Sequence, residues 1–139
     1  MSRCFLTSFL FNSNISSWNT GAVTTMESMF ESANSFNQNI GGWNTGAVTN
    51  MALMFYGTAF NQNIGSWNVA NVTNFAAFMS NKTPANFSTA NLDAIYNGWV
   101  TVQSSRTISF GTAKYSAAGV AGRAYLTGTK LWTITDGGL

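Results

Sequence analysis

Glu27, Glu31, Asp93 and Asp136 are the only carboxylate side chains in this chain, so carboxylate general-acid or general-base chemistry falls to them. Glu27 and Glu31 stand at i and i+4. On a helix they would share one face, an outline of the paired carboxylates that cleave glycosidic bonds. A solvated helix edge beside an N-terminal cap explains the pair more simply. There is no histidine, so a serine or cysteine nucleophile lacks its usual base. Cys4 is the one cysteine, which rules out an intrachain disulfide, and no metal-ligand cluster is visible. The glycines of Gly119–Gly122 are not followed by Lys-Ser or Lys-Thr, so they form no phosphate loop. The expectation is a non-enzyme with no catalytic residue, no metal and no cofactor. Trp99 and Trp132 could be sugar-stacking platforms, but buried anchors of a capping region suit them better. Asn14, Asn71, Asn81 and Asn86 open Asn-x-Ser/Thr sequons, weak evidence in a chain so rich in Asn and Thr. Thr133 and Thr135 are too few for an ice-binding row.

Composition narrows the partners. Of the 139 residues, 45% are apolar and only 7% charged, against roughly 25% charged in an average domain. The net charge is +2, and Arg3, Lys82, Arg106, Lys114, Arg123 and Lys130 are scattered along the chain. A groove that tracks nucleic-acid phosphates is therefore not expected. No apolar run is long enough to span a bilayer, and the N-terminus does not read as a signal peptide.

The elements that position everything else come from an internal repeat. Trp18, Trp43 and Trp67 lie 25 and 24 residues apart. The second copy reads Phe36-Asn-Gln-Asn-Ile-Gly-Gly-Trp-Asn, and copies opening at Phe11 and Phe60 nearly repeat it. Units this short cannot bury an apolar face alone, but stacked copies share one core. The alternation of Phe36 and Ile40 with Asn37 and Asn39 predicts a short strand. Val48, Met51, Met54 and Phe55 predict an apolar stripe on a short helix or 3₁₀ segment, with Thr49 as its cap and Thr24–Glu27 as a capping box in the preceding copy. The predicted repeat core is Trp18, Phe36, Ile40, Trp43, Met51, Met54, Phe55, Phe60, Ile64 and Trp67. Asn12/Asn37/Asn61, Asn14/Asn39/Asn63 and Asn19/Asn44/Asn68 form columns whose amides either ladder between copies or satisfy turn backbone groups. The fold class expected is a leucine-rich-repeat-like solenoid of short parallel strands and short helical segments, over residues 1–81, with an α+β cap over 82–139.

Residues 1–10 match the second half of a repeat, with Cys4-Phe5 in the place of Met29-Phe30. Such an end exposes Phe5, Phe9 and Phe11, which makes these three the candidate self-association residues. In the capping region Lys82–Asn86 reads as a linker or turn. Leu92, Ile95, Tyr96 and Trp99 share a helical face capped by Thr89 or Asn91. Thr107–Phe110 and Leu131–Thr135 read as strands, and Ser116–Leu126 as a second helix anchored by Val120, Ala124 and Tyr125.

The phrase Phe-Asn-Gln-Asn-Ile-x-x-Trp-Asn, followed by Val-Thr-Asn-Met-x-x-Met-Phe, resembles the BspA-like leucine-rich-repeat surface proteins over residues 4–80. The resemblance implies a bacterial, protist or phage surface protein used in adhesion or binding, located outside the cell or on its surface, with no catalytic residues. Relatives often carry Asp where this chain has Asn14, Asn39 and Asn63, which argues against a calcium site. The expected function is adhesion or scaffolding, with self-association through the N-terminal end into an oligomer or filament. A phage tail-fibre adhesin and a monomeric module for surface glycan or protein are the alternatives.

Overall fold

The computed structural model describes residues 1–139. Successive copies lie on one another through a regular set of backbone hydrogen bonds. The N–H groups of Met26, Ser28, Phe30 and Ser32 donate to the carbonyls of Asn50, Ala52, Met54 and Tyr56. One copy on, Met51, Leu53 and Phe55 donate to Asn74, Ala76 and Phe78. Residues 1–7 join the same ladder, Arg3, Phe5 and Thr7 donating to Glu27, Met29 and Glu31. Thr25, Asn50 and Asn74 form parallel bridges at the start of each rung.

Neither the short helix nor the 3₁₀ segment expected at Val48–Phe55 forms; the stretch is a run of turns. A left-handed residue interrupts each copy at one fixed place: Arg3 at φ 57°, Ser28 at 52°, Leu53 at 59° and Ala77 at 52°. A helix cannot pass through that conformation, which costs roughly 1–2 kcal/mol per non-glycine residue. Alternate N–H groups then bond to the next copy, while those between them close tight turns, as Met29 does to Met26 and Met54 to Met51. Thr49 accordingly caps no helix; its hydroxyl and its N–H both donate to the Thr24 carbonyl. Thr24–Glu27 forms no capping box, and Glu27 and Glu31 do not share a helix face.

The predicted strand at Phe36–Ile40 does not form a backbone ladder either. Side-chain amides link this edge instead. Asn37 N–H donates to Asn12 Oδ1 and Asn61 N–H to Asn37 Oδ1, at 2.9 and 2.8 Å. Gln38 and Gln62 add Nε2 bonds to the same Asn12 and Asn37 groups. The other two Asn columns close turns: Asn14, Asn39 and Asn63, like Asn19, Asn44 and Asn68, each accept from the backbone N–H two residues on.

Between the two edges runs an aromatic core. Phe5, Phe30 and Phe55 stack in one column and Phe11, Phe36 and Phe60 in another, with centroids 5.6 to 6.0 Å apart between layers. Phe30 and Phe36 pair within a layer at 3.8 Å. Ile40, Trp43, Met51, Met54, Ile64 and Trp67 are buried with them.

Regular elements begin at residue 89. Helix α1 (Thr89–Gly98) is capped by Ser88, whose hydroxyl accepts from the Asn91 N–H. Strand β1 (Thr107–Ser109) pairs in parallel with β2 (Thr133–Thr135), Ile108 opposite Ile134. Between them a 3₁₀ turn (Ala117–Gly119) leads into α2 (Val120–Ala124) and a π turn (Tyr125–Thr129). Val120 and Ala124 are exposed, contrary to the anchoring roles expected of them, while Tyr125 is half-buried and packs against the core. The face turned inward carries Gly119, Gly122 and Leu126. A Cβ on Gly122 would collide with the Tyr96 carbonyl and one on Gly119 with the Asp93 carboxylate, so glycine permits the close crossing with α1. One continuous hydrophobic core runs from Ile15 to Trp132, so it has no break at residue 81.

Candidate functional site

The N-terminal face is where the chain leaves bonding groups and apolar surface uncovered. Each later copy has its rung carbonyls occupied by the copy before it. At the first rung, Ser2 and Cys4 stand where Glu27 and Met29 stand one copy on, and their carbonyls accept no hydrogen bond. Phe9 is 57% exposed; Leu10 is exposed too, but so are its counterparts Ser35 and Ala59, so Leu10 lies on the side of the stack. Phe5 and Phe11 are only half-buried, although their rings stack on each other at 3.7 Å. Of the three predicted self-association residues, Phe9 is the most exposed, and Phe5 and Phe11 form the last layer of the stack.

Trp18 belongs to this face and not to the repeat core. Trp43 and Trp67 are buried, and their indoles donate to the Ile15 and Ile40 carbonyls of the preceding copy, both at 3.1 Å. Trp18 has the same backbone turn, its N–H donating to Ile15. Its indole meets no acceptor within residues 1–139, and its ring is 40% exposed. At the other end Trp99 continues the column, its Nε1 donating to Ile64 at 3.1 Å. Sequence reasoning placed Trp99 outside the repeat because α1 lengthens the segment: Phe60 to Trp67 is seven positions, and Phe87 to Trp99 twelve. Asn91 in α1 reaches Asn61 as Gln62 reaches Asn37, so the amide edge also persists. Trp99 and Trp132 are both buried and offer no platform to a ligand.

The ionisable groups away from this face serve packing. Lys82, expected in a linker, is buried, with Nζ 2.7 Å from the Thr58 carbonyl; desolvation lowers its pKa to about 8. Asp136 accepts from Tyr96 Oη and, at 2.7 Å, from Arg123 Nε. Burial and the Asp136 hydrogen bond raise Tyr96 above its ordinary range. Burial alone would raise Asp136, but the bonds from Arg123, Tyr96 and the Gly138 N–H hold it below its ordinary value. Glu27 meets Arg3 at 3.9 Å and Asn50 Nδ2 at 3.3 Å, on the surface. No three His, Cys, Asp or Glu side chains gather into a metal site. No helix is long and apolar enough to cross a membrane.

The family described as "Mycoplasma protein of unknown function, DUF285" matches residues 1–93 of the 139. The chain belongs to this family. The DUF285 match takes in the whole ladder and amide edge and ends inside α1, where the Asn91 and Trp99 contacts continue the repeat. No curated protein and no solved structure matches the chain.

Proposed function

We propose that this DUF285 protein is a non-enzymatic surface protein for adhesion or scaffolding, built as a leucine-rich-repeat-like solenoid of the BspA-like kind, which self-associates through its N-terminal face. The observation that carries the reading is the uncovered first layer: Phe9 and Trp18 exposed and Phe5 and Phe11 only half-buried, beside the unused carbonyls of Ser2 and Cys4. Fully burying one large apolar side chain contributes about 1.5–3 kcal/mol, so covering this cluster offsets several kcal/mol of association cost. Contact between a second copy and this face satisfies the same surface that a further repeat layer would cover. The DUF285 family and the repeat phrase support a surface role, and the shortage of charge removes one barrier to association.

Sedimentation velocity across a hundredfold concentration range, with negative-stain microscopy of the same samples, tests the proposal. Dimers, larger oligomers or fibres are expected, and Phe9→Asp should return the chain to monomer with its circular dichroism unchanged. A wild-type monomer at the highest concentration, or assembly indifferent to Phe9→Asp, overturns self-association.

A further inference from the structure

A groove of about 350 Å³ lies between the last turn of the repeats and β1 with the two residues before it. The near wall is a tight turn: the Phe78 N–H donates to the Phe75 carbonyl at 3.0 Å, and Ala77 is left-handed at φ 52°. The Phe75 and Ala77 N–H groups take no part in that turn and meet no acceptor. Their counterparts Met51 and Leu53 send theirs to the following copy, and β1 stands on that side here. In the far wall the Arg106 carbonyl accepts from the Thr133 N–H, and the Phe110 N–H donates to Thr135. Alternate residues of a parallel strand bond the same neighbour, so Thr107 and Ser109 turn their backbone groups to the open edge. Arg106 spends three of its five N–H donors, on the Val72 and Ser105 carbonyls and on Gln103 Oε1. None of these acceptors carries a charge. Arg106 forms no ion pair, and no Asp or Glu lines the groove. Its positive charge is therefore uncompensated, with one N–H left on each η nitrogen.

We propose that this groove binds the carboxylate of an acidic sugar. The carboxylate accepts from Arg106 and from the Phe75 and Ala77 N–H groups, donors that have no other partner. Hydrogen bonds to an ionised acceptor are roughly twice as strong as neutral ones, so an anion gains most from this set. The rest of the lining suits a sugar. Thr107 and Ser109 offer backbone N–H and C=O groups to ring hydroxyls. Asn74 accepts from the Ala76 N–H through Oδ1 and leaves its Nδ2 free. The buried Phe75 and Ile108 supply an apolar floor for the face of a ring. At about 350 Å³ the groove stands at the small end of ligand sites, roughly 300–1,000 Å³, which fits a single sugar residue. One copy earlier the same column already holds a carboxylate, since Asn50, the counterpart of Asn74, donates its Nδ2 to Glu27 at 3.3 Å. Glu27 aligns with Ala52 and Ala76, so that position carries only a methyl group at the groove. The sugar as ligand class rests on the surface role proposed above; the carboxylate contact rests on the groove and not on self-association at the other end.

The test is an NMR titration of the isotope-labelled protein with methyl β-glucuronide, run beside methyl β-glucoside and acetate. The glucuronide should shift the Phe75, Ala77, Thr107 and Ser109 amides and the Arg106 Nε–H together, with a Kd on the order of 1 mM, the range of one charge-assisted anchor. The glucoside and acetate should each bind at least tenfold more weakly. Arg106→Gln should weaken glucuronide binding at least tenfold. Because Arg106 also ties β1 to Val72, Ala76→Glu is the second variant: the residue is exposed, and the new carboxylate takes the place that Glu27 holds in its own copy. It should compete for the same donors and weaken binding by a similar factor, with the remaining amide spectrum unchanged. No shift at about 20 mM glucuronide, well above that Kd, overturns the proposal. Equal binding of the glucoside overturns the carboxylate contact, and equal binding of acetate overturns the sugar. Undiminished binding in either folded variant overturns the site. Sedimentation of the same samples reports self-association separately, so either reading can fail without the other.

Discussion

Raising the pH from 8 to 10 should stabilise this protein, and Lys82→Met should remove the effect. Lys82 is buried, with Thr58 as its hydrogen-bond partner and no carboxylate paired to it. Its pKa falls from 10.5 to about 8 because burial strips water from the ammonium. The folded state therefore releases the proton at lower pH than the unfolded state does. The penalty is complete below about pH 8 and fades as pH rises toward 10.5. At 1.36 kcal/mol per pKa unit, the full lowering amounts to about 3 kcal/mol. Integrating proton binding in the two states from pH 8 to pH 10 recovers about 2 kcal/mol of this. Above pH 10 the raised Tyr96 pulls the other way, since the unfolded chain then gains by ionising its phenol, so the window closes there. Urea unfolding followed by tryptophan fluorescence, at pH 7, 8, 9 and 10, measures the slope. Lys82→Met should give a flat profile over this window. Its stability at pH 7 balances relief of the buried charge against an unpartnered Thr58 carbonyl, worth about 1–3 kcal/mol. A flat wild-type profile, or the same rise in Lys82→Met, refutes the reasoning.

Trp67→Phe should cost about 2 kcal/mol or more by leaving the buried Ile40 carbonyl without its indole donor, whereas Trp18→Phe should cost less than about 0.5 kcal/mol, because Trp18 is exposed and has no such acceptor. Equal losses in chemical denaturation would contradict the assignment of Trp18 to the end face. Asp136→Asn should weaken the cap by breaking its charge-assisted bonds to Arg123. In wild type the contribution of Asp136 is present above the ordinary carboxylate pKa and disappears as pH falls through its lowered folded value, so the gap between the two proteins should narrow in acid. A gap that stays constant from pH 7 to pH 2 would rule that out.

The sequence determined the period, and the period carried much of the core. Phe36, Ile40, Trp43, Met51, Met54, Phe55, Phe60, Ile64 and Trp67 could be picked out because a side chain that recurs every 24 or 25 residues meets its own counterpart in the next copy. The Asn columns were legible for the same reason, although only the tertiary structure decided that one column bridges copies while two close turns. Local pattern misled where long-range bonds override it. The spacing of Val48, Met51, Met54 and Phe55 suits a helix. The hydrogen bonds from Leu53 and Phe55 to the next copy instead hold a left-handed residue that local propensity would not choose. Trp18 looks identical to Trp43 and Trp67 in sequence and differs in the structure, where its indole has no carbonyl like those that Ile15 and Ile40 supply. Trp99 looked unrelated and joins the column because α1 takes up the extra length. Lys82 had no sequence signal for burial; its place under Thr58 exists only once the copies stack. A repeat specifies what each rung bonds to in its neighbour, and the folded chain decides which rungs have one.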